Sequence, residues 1–450
     1  MTTFALTVIR RGLAALVLVL VALPAHAIDI ERVVSPGGIE AWLVRDEKNP
    51  IIAMNWSFDG GTELDPADKL GLGAMAMSLL TEGAGDLDSQ AFRKQLEDNS
   101  ISLGFGAGRD ALFGSLTTLK ETKELAFDLA ALAMTKPRFD QDAVERVRGQ
   151  YLAAVKRSLA NPNYVAQVTF LRTLFPDHPY GRPARGTLET LPAITVADLK
   201  AVPPARLARD RLKVAVAGDM TAAELAPVLD RIFGGLPAKG AAFKIAAVEP
   251  AGAGSVIQAT RPIPQTIMLM GHRGIERSDP DWYAATVLNY VLGGGGFSSR
   301  LMEEVREKRG LTYGVGSGIQ SLEHSTLMTV SGSMANANAG KAKALIQEIW
   351  GEMAKNGVTE RELTDAKTYL TGSFPLDFTS NGAIAGILLS VQRDGLGIDY
   401  LNKRNSLIEA VTLADVKRVA QRLLDPKQLA VVVVGQPEGI TPTAIVDGPS

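Results

Sequence analysis

The chain repeats itself, and that restricts its fold more than any other feature. The segment ITVADLK at 194–200 matches VTLADVK at 411–417, and LKVAVAG at 212–218 matches LAVVVVG at 429–435. Both pairs share an offset of 217 residues (412 − 195 and 435 − 218). GTELDP at 61–66 and GIERSDP at 274–280 sit at nearly the same spacing, as do Tyr151 and Tyr369. Four matches in register imply a duplicated unit. The expected organisation is therefore two homologous halves, 28–238 and 256–440. A Gly/Ala/Pro-rich linker at 239–255 joins them, and a tail follows at 441–450. Short apolar, β-branched runs alternate with longer helical segments in each half. This predicts an α+β fold of two α/β sandwiches with mostly antiparallel sheets, closing on one another as a clamshell. A chain of 450 residues is long enough for each half to bury a core of its own.

The N-terminus reads as an export signal. Arg10 and Arg11 precede the apolar run GLAALVLVLVALP, which ends at Ala25-His26-Ala27, a small-x-small cleavage pattern. The run is short of the ~20 residues that span a bilayer, so the expectation is a leader over 1–27, cleaved near Ala27, and no membrane anchor afterwards. The chain has 0 cysteines, which excludes disulfides, thiolate metal sites and a cysteine nucleophile. The expected address is the periplasm, with general secretion favoured over the twin-arginine route. With 47 basic against 49 acidic residues nothing points to nucleic acid.

The stretch LGGGGFSSRLMEEVREKRGLTYGV, 292–315, reads as a device in three parts. Gly293, Gly294, Gly295 and Gly296 form a flexible segment free to take positive φ and to lie against another chain, and Phe297 follows. Ser298 or Ser299 then caps a short amphipathic helix carrying Leu301, Met302 and Val305 inward, with Gly310 as its C′ residue. LTYGVGSGI returns as a strand, so Arg306 near the helix end and Tyr313 on the strand can point into one space. Alone, a glycine run is also consistent with a plain loop, and Arg306 with a charge that complements the helix dipole.

This stretch resembles the signature of the C-terminal half of the insulinase/pitrilysin metallopeptidases, the inverzincins: a glycine-containing segment, an SRL helix, an Arg and, seven positions on, a Tyr. GGTELDPADKLGLGAMAMSLLTEGAGDLDS, RDALFGSLTTL and FPDHPYGRP in the first half resemble the same family, so the likeness spans the whole mature chain. The resemblance implies a peptide-binding chamber. Arg306 and Tyr313 hold substrate and transition state there, and Gly293 to Phe297 contact an extended peptide. It also exposes a departure. Where active members carry H-x-x-E-H on the helix after GTELDP, with a further glutamate downstream, this chain has Ala74, Met77, Ser78 and Ala154. None of these is a ligand set for zinc. His178, His272 and His324 are scattered singly: His178 in a turn-forming segment, the other two expected at strand ends or on the surface. No G-x-S-x-G elbow or phosphate-loop ending is present.

The expectation is thus a zinc-free subunit of a two-chain metallopeptidase. It lends Arg306 and Tyr313 to a partner that bears H-x-x-E-H and the zinc, while this chain itself holds no metal. Two other classes stay open: a non-proteolytic peptide-binding or chaperone module, and a structural subunit.

Overall fold

The structure is a computed structural model and describes residues 28–449; the expected leader, residues 1–27, lies outside the described residues. Two six-stranded sheets carry the fold. The first is ordered β1 (Glu31–Val34), β2 (Glu40–Arg45), β6 (Leu212–Gly218), β3 (Ile51–Asp59), β5 (Ala111–Leu119), β4 (Ser102–Ala107). The second runs β12 (Ala444–Val446), β7 (Val256–Thr260), β11 (Ala430–Gly435), β8 (Gln265–Arg273), β10 (Thr326–Ala335), β9 (Gly314–Ser321). From β2 and β7 onward the two orders are the same, as a duplication requires, and most pairings are antiparallel.

The repeated segments occupy equivalent places. Thr195 and Thr412 each cap a helix, Val196–Arg206 and Leu413–Leu423, in a reciprocal capping box with Asp198 and Asp415. β6 and β11 are the paired Leu-x-Val strands, third in each sheet, and both end on a glycine with almost identical φ, +141° at Gly218 and +140° at Gly435. A Cβ at Gly218 would lie 2.2 Å from the Ile51 carbonyl oxygen, so side chains are excluded there. The edges differ. β1 joins β2 antiparallel, whereas β12 joins β7 in parallel, so the segment set apart as a tail supplies an edge strand to the second sheet.

β6 and β11 read as almost unbroken apolar runs because both faces of each sheet are covered. One face of each sheet packs against helices of its own half. The other face is covered by a helix from the opposite half. Ala385, Leu388, Leu389 and Val391 of the Asn381–Arg393 helix pack on Trp42, Val44, Ala53, Ala215 and Ala217 of the first sheet. Asn381 Nδ2 and Gln392 Nε2 donate to the Ile51 and Val214 carbonyls at 3.0 and 2.8 Å. Reciprocally, Phe170, Leu171 and Leu174 of the Pro162–Leu174 helix cover Leu327, Ala430 and Val432 of the second sheet. The halves are thus two like units that exchange a helix, tied further by the linker: Ala251 N donates to Leu174 O, and Val248 N to His324 O, both at 2.8 Å.

Candidate functional site

The helix that carries the metal-ligand positions, Leu72–Leu79, is set by the GTELDP segment before it. Asp65 accepts from the backbone N–H groups of Gly71 (3.1 Å) and Gly73 (3.0 Å), which helical geometry leaves free, and from Arg206 Nη1 at 2.9 Å. Arg206 also donates to the Gly61 and Leu64 carbonyls, both at 3.2 Å. Gly61 lies against the β4–β5 turn: a Cβ there would be 2.3 Å from the Gly108 and Arg109 carbonyl oxygens. Burial pushes the Asp65 carboxyl up, and the Arg206 guanidinium opposes it.

On that helix Ala74 and Met77 are buried. Ser78 Oγ donates back to Ala74 O at 3.0 Å, a satisfied helical serine. The neighbouring Gln141–Ala160 helix, which carries Ala154, sends Tyr151 into the same space. Tyr151 Oη lies 2.7 Å from Ser78 Oγ and donates to Ala74 O at 2.9 Å, and burial raises its phenol pKa. A methyl, a thioether, an occupied hydroxyl and a phenol cannot bind zinc. No group of three or more His, Cys, Asp or Glu side chains suited to a metal exists among the described residues. The residues at the family's zinc position do not fit the ion. Tyr151, seen in the sequence only as a repeat match, is the group that closes the position. Its counterpart Tyr369 instead stacks on Tyr290, ring centres 5.1 Å apart, at the surface.

In the second half, Arg306, Tyr313 and Phe297 come together. The Arg306 guanidinium lies 4.6 Å from the Phe297 ring centre and 5.0 Å from that of Tyr313. Both rings are exposed, Phe297 at 68% and Tyr313 at 82%, while the Arg306 side chain is only 24% exposed. Among the described residues its ion-pair neighbour is Glu307 at 3.6 Å. The guanidinium is therefore held between two aromatic rings, and a planar fork of this kind suits a carboxylate or carbonyl.

Four details differ from the expectation. Tyr313 is not on the returning strand but one residue ahead of it, since β9 begins at Gly314. The expected amphipathic helix does start after Ser299, and Gly310, with φ +59°, ends it, but its middle, Met302–Glu307, is π-helical, with Lys308 N donating to Glu303 O. Ser299 has the extended N-cap backbone, yet its hydroxyl donates to Gly296 O instead of capping. The glycine run is not a free loop. Gly293 and Gly294 close a π-helical turn, Tyr290–Gly294, that continues the Trp282–Asn289 helix. Gly293 is buried so tightly on β9 that a Cβ would meet Ser317 N at 2.5 Å, while Gly296, at φ +57°, makes the turn into Phe297. Gly294, Gly296 and Phe297 are the exposed members.

The two clusters lie beside different sheets: the degenerate helix packs against edge strand β4, and the Arg306 cluster against edge strand β9. The histidines are structural. His272 sits near the end of β8 but buried, accepting from Trp350 Nε1 at 3.1 Å. His178 takes the Tyr180 N–H on Nδ1 at 3.2 Å, and His324 lies in the β9–β10 turn, facing the first half.

Comparison with known proteins agrees with this arrangement. Residues 193–370 match a family model described as the peptidase M16 inactive domain. A Helicobacter pylori protein named non-peptidase homolog YmxG is 31% identical over 336 residues, 73% of this chain and 77% of that protein. A Mycobacterium leprae protein named uncharacterized zinc protease ML0855 is 31% identical over 316 residues, 69% of this chain and 70% of its own. Among solved structures, a peptidase M16 inactive domain from Pseudomonas fluorescens superposes with a TM-score of 0.85 at 29% identity, covering 92% of this chain and 100% of that one. With sequence likeness over 73% of the chain, fold likeness over 92% of it, and a metal position filled by Ala74, Met77, Ser78 and Tyr151, this chain belongs to the peptidase M16 (insulinase) family as a member without the zinc ligands.

Proposed function

We propose that the chain is the zinc-free subunit of a two-chain M16 peptidase: a partner supplies H-x-x-E-H and the metal, and this chain supplies Arg306 and Tyr313. The observation that carries the reading is the Arg306 guanidinium set between two exposed rings, with a long 3.6 Å ion pair to Glu307, in a chain whose own metal position is filled. Water activation belongs to the partner. Here the Tyr313 hydroxyl donates to the oxyanion that develops on the scissile carbonyl, and it does not matter to the electrostatics which chain holds the donor. Arg306 binds a peptide carbonyl or carboxylate with its planar fork. Gly294, Gly296 and Phe297, the exposed members of the glycine segment, lie where an extended peptide would pass. The same reading sends the mature chain to the periplasm, an assignment supported by the leader-like 1–27 segment.

The test is co-expression with an exported M16 chain that has an intact H-x-x-E-H. The complex is recovered from the periplasmic fraction, with this chain beginning near Ile28, and assayed for peptide hydrolysis. Tyr313→Phe removes only a hydroxyl, so assembly, metal content and peptide binding stay unchanged while turnover falls on the order of 100- to 1000-fold. Arg306→Lys loses the bidentate fork and lowers both turnover and affinity. Variants that assemble and cleave like the wild type would make the pair a remnant and leave a peptide-holding module as the function.

A further inference from the structure

Where the two halves meet, the tips of their equivalent hairpins and the linker converge on a group of ionisable side chains, of which Glu63 and Tyr180 are buried. The turn between β4 and β5 brings Asp110, and the turn between β9 and β10 brings Glu323 and His324. Three hydrogen bonds close the junction. Tyr180 Oη donates to Asp110 Oδ1 (2.5 Å), His324 N donates to Tyr180 Oη (3.1 Å), and Glu323 N donates to Asp110 Oδ2 (3.3 Å). Asp110 is thus the anion on which the second hairpin is seated.

Glu63 is placed against that anion. Its side chain is 1% exposed, and neither carboxyl oxygen has a hydrogen-bond donor at bonding geometry. Facing it are Asp110 and, 3.7 Å from Oε2, the Nε2 of His324. A buried, unpaired carboxylate beside a second carboxylate is a costly arrangement. A carboxylic acid there is not, because it donates a hydrogen bond to Asp110. We propose that this junction is a proton-operated latch: the β9–β10 hairpin is held against the first half while Glu63 and Asp110 share a proton, and is released when that proton is lost.

The surrounding charges agree in sign. Burial first, then Asp110 and Glu323, push the Glu63 carboxyl up to about 8, outweighing the Gly61 backbone, which favours the ion. Burial also raises Glu323, with Asp59 and Asp110 adding to it and His324 and Arg393 opposing. Tyr180 is driven up by burial and by Asp110 and stays a donor. Lys213 is occupied by Asp59 at 2.9 Å, and Arg109 by the Tyr180 carbonyl at 3.0 Å, so neither neutralises Glu63. His178, which accepts from Tyr180 N and contacts the linker at Ala246 O, is lowered by burial and sits neutral in the closed junction.

The signs follow by linkage. A carboxyl whose pKa is raised in the closed state stabilises that state below its ordinary value of 4.5, and the contribution is lost as pH rises through about 8. His178, lowered from 6.5, contributes above that value and is lost as pH falls through its depressed one. The Glu63 contribution to the latch therefore falls steadily as pH rises from 4.5 and is gone above about 8. One proton is released on opening across that interval, so between 6.5, below which His178 opposes the trend, and about 8 the equilibrium shifts by up to about tenfold per pH unit.

Amide hydrogen exchange on the full mature chain between pH 6 and 9.5, corrected for intrinsic exchange, tests this. The readout is protection of 244–250 and 320–326 relative to the β3 and β8 cores. Protection of these segments should fall by up to about tenfold per pH unit between 6.5 and about 8 and level off above that, while the cores hold. Glu63→Gln, which keeps a donor and cannot ionise, should remove that loss. Asp110→Asn, which removes the facing charge, should move the onset of the plateau to lower pH. Wild-type protection that is flat from pH 6 to 9.5 would overturn the latch, as would a loss undiminished in Glu63→Gln or an Asp110→Asn plateau whose onset stays or rises.

Discussion

At the scale of residues, the departure from active M16 peptidases is more than three missing ligands and a missing base. Tyr151 Oη, 2.7 Å from Ser78 Oγ and 2.9 Å from Ala74 O, is hydrogen-bonded at both of the positions where the imidazoles would stand. Installing Ala74→His, Met77→Glu, Ser78→His and Ala154→Glu together should therefore give no stoichiometric zinc on metal analysis. Adding Tyr151→Ala should admit the ion. Tight zinc in the fourfold variant with Tyr151 intact would show that the phenol swings aside at no cost. Ala74, Met77 and Ser78 were legible from the sequence because a helix keeps its spacing. The plug was not, since its two partners are 77 and 73 residues away and only packing brings them together.

At the scale of elements, the segment around Arg306 depends on how closely a helix end can approach a strand. The two π turns, Tyr290–Gly294 and Met302–Glu307, both pack against β9. Gly293→Ala would drive a methyl onto Ser317 N, so a loss of about 1–3 kcal/mol is expected from overpacking. Gly314→Ala, with nothing within 4 Å of its Cβ, should change stability by no more than about 0.5 kcal/mol. Denaturant midpoints at unchanged m-value separate the two. Equal effects would mean that the close approach contributes nothing. The Arg306 guanidinium does meet the Tyr313 ring, at 5.0 Å, although Tyr313 stands one residue ahead of the strand on which the sequence pattern set it. The π turns were not readable. Local propensity favours the α form, and contact with β9 selects the wider one.

At the scale of the molecule, each half lends a helix to the other, so neither sheet is covered on both faces by its own half. Residues 28–238 alone would expose Trp42, Val44, Ala53, Ala215 and Ala217, and residues 256–449 alone would expose Leu327, Ala430 and Val432. Uncovering a large apolar side chain costs about 1.5–3 kcal/mol, so two in each half, with the alanines beside them, take away a large part of the roughly 5–15 kcal/mol of a typical domain. Each half produced singly should aggregate or bind a hydrophobic dye, and co-expression should recover a soluble complex. A first half that is monomeric and unfolds cooperatively by itself would contradict the exchange. The duplication, the paired capping boxes, the two central strands, the lost metal ligands and the Arg306–Tyr313 pair were determined by the sequence itself. Each is a short-range pattern, or is visible by laying the chain on itself. The tertiary structure alone decided which sheet each long helix covers, that Tyr151 closes the metal position, and that Glu63 meets Asp110 and His324. An apolar stripe or a buried carboxyl states a need for a partner, and its identity is settled only when segments hundreds of residues apart are packed together.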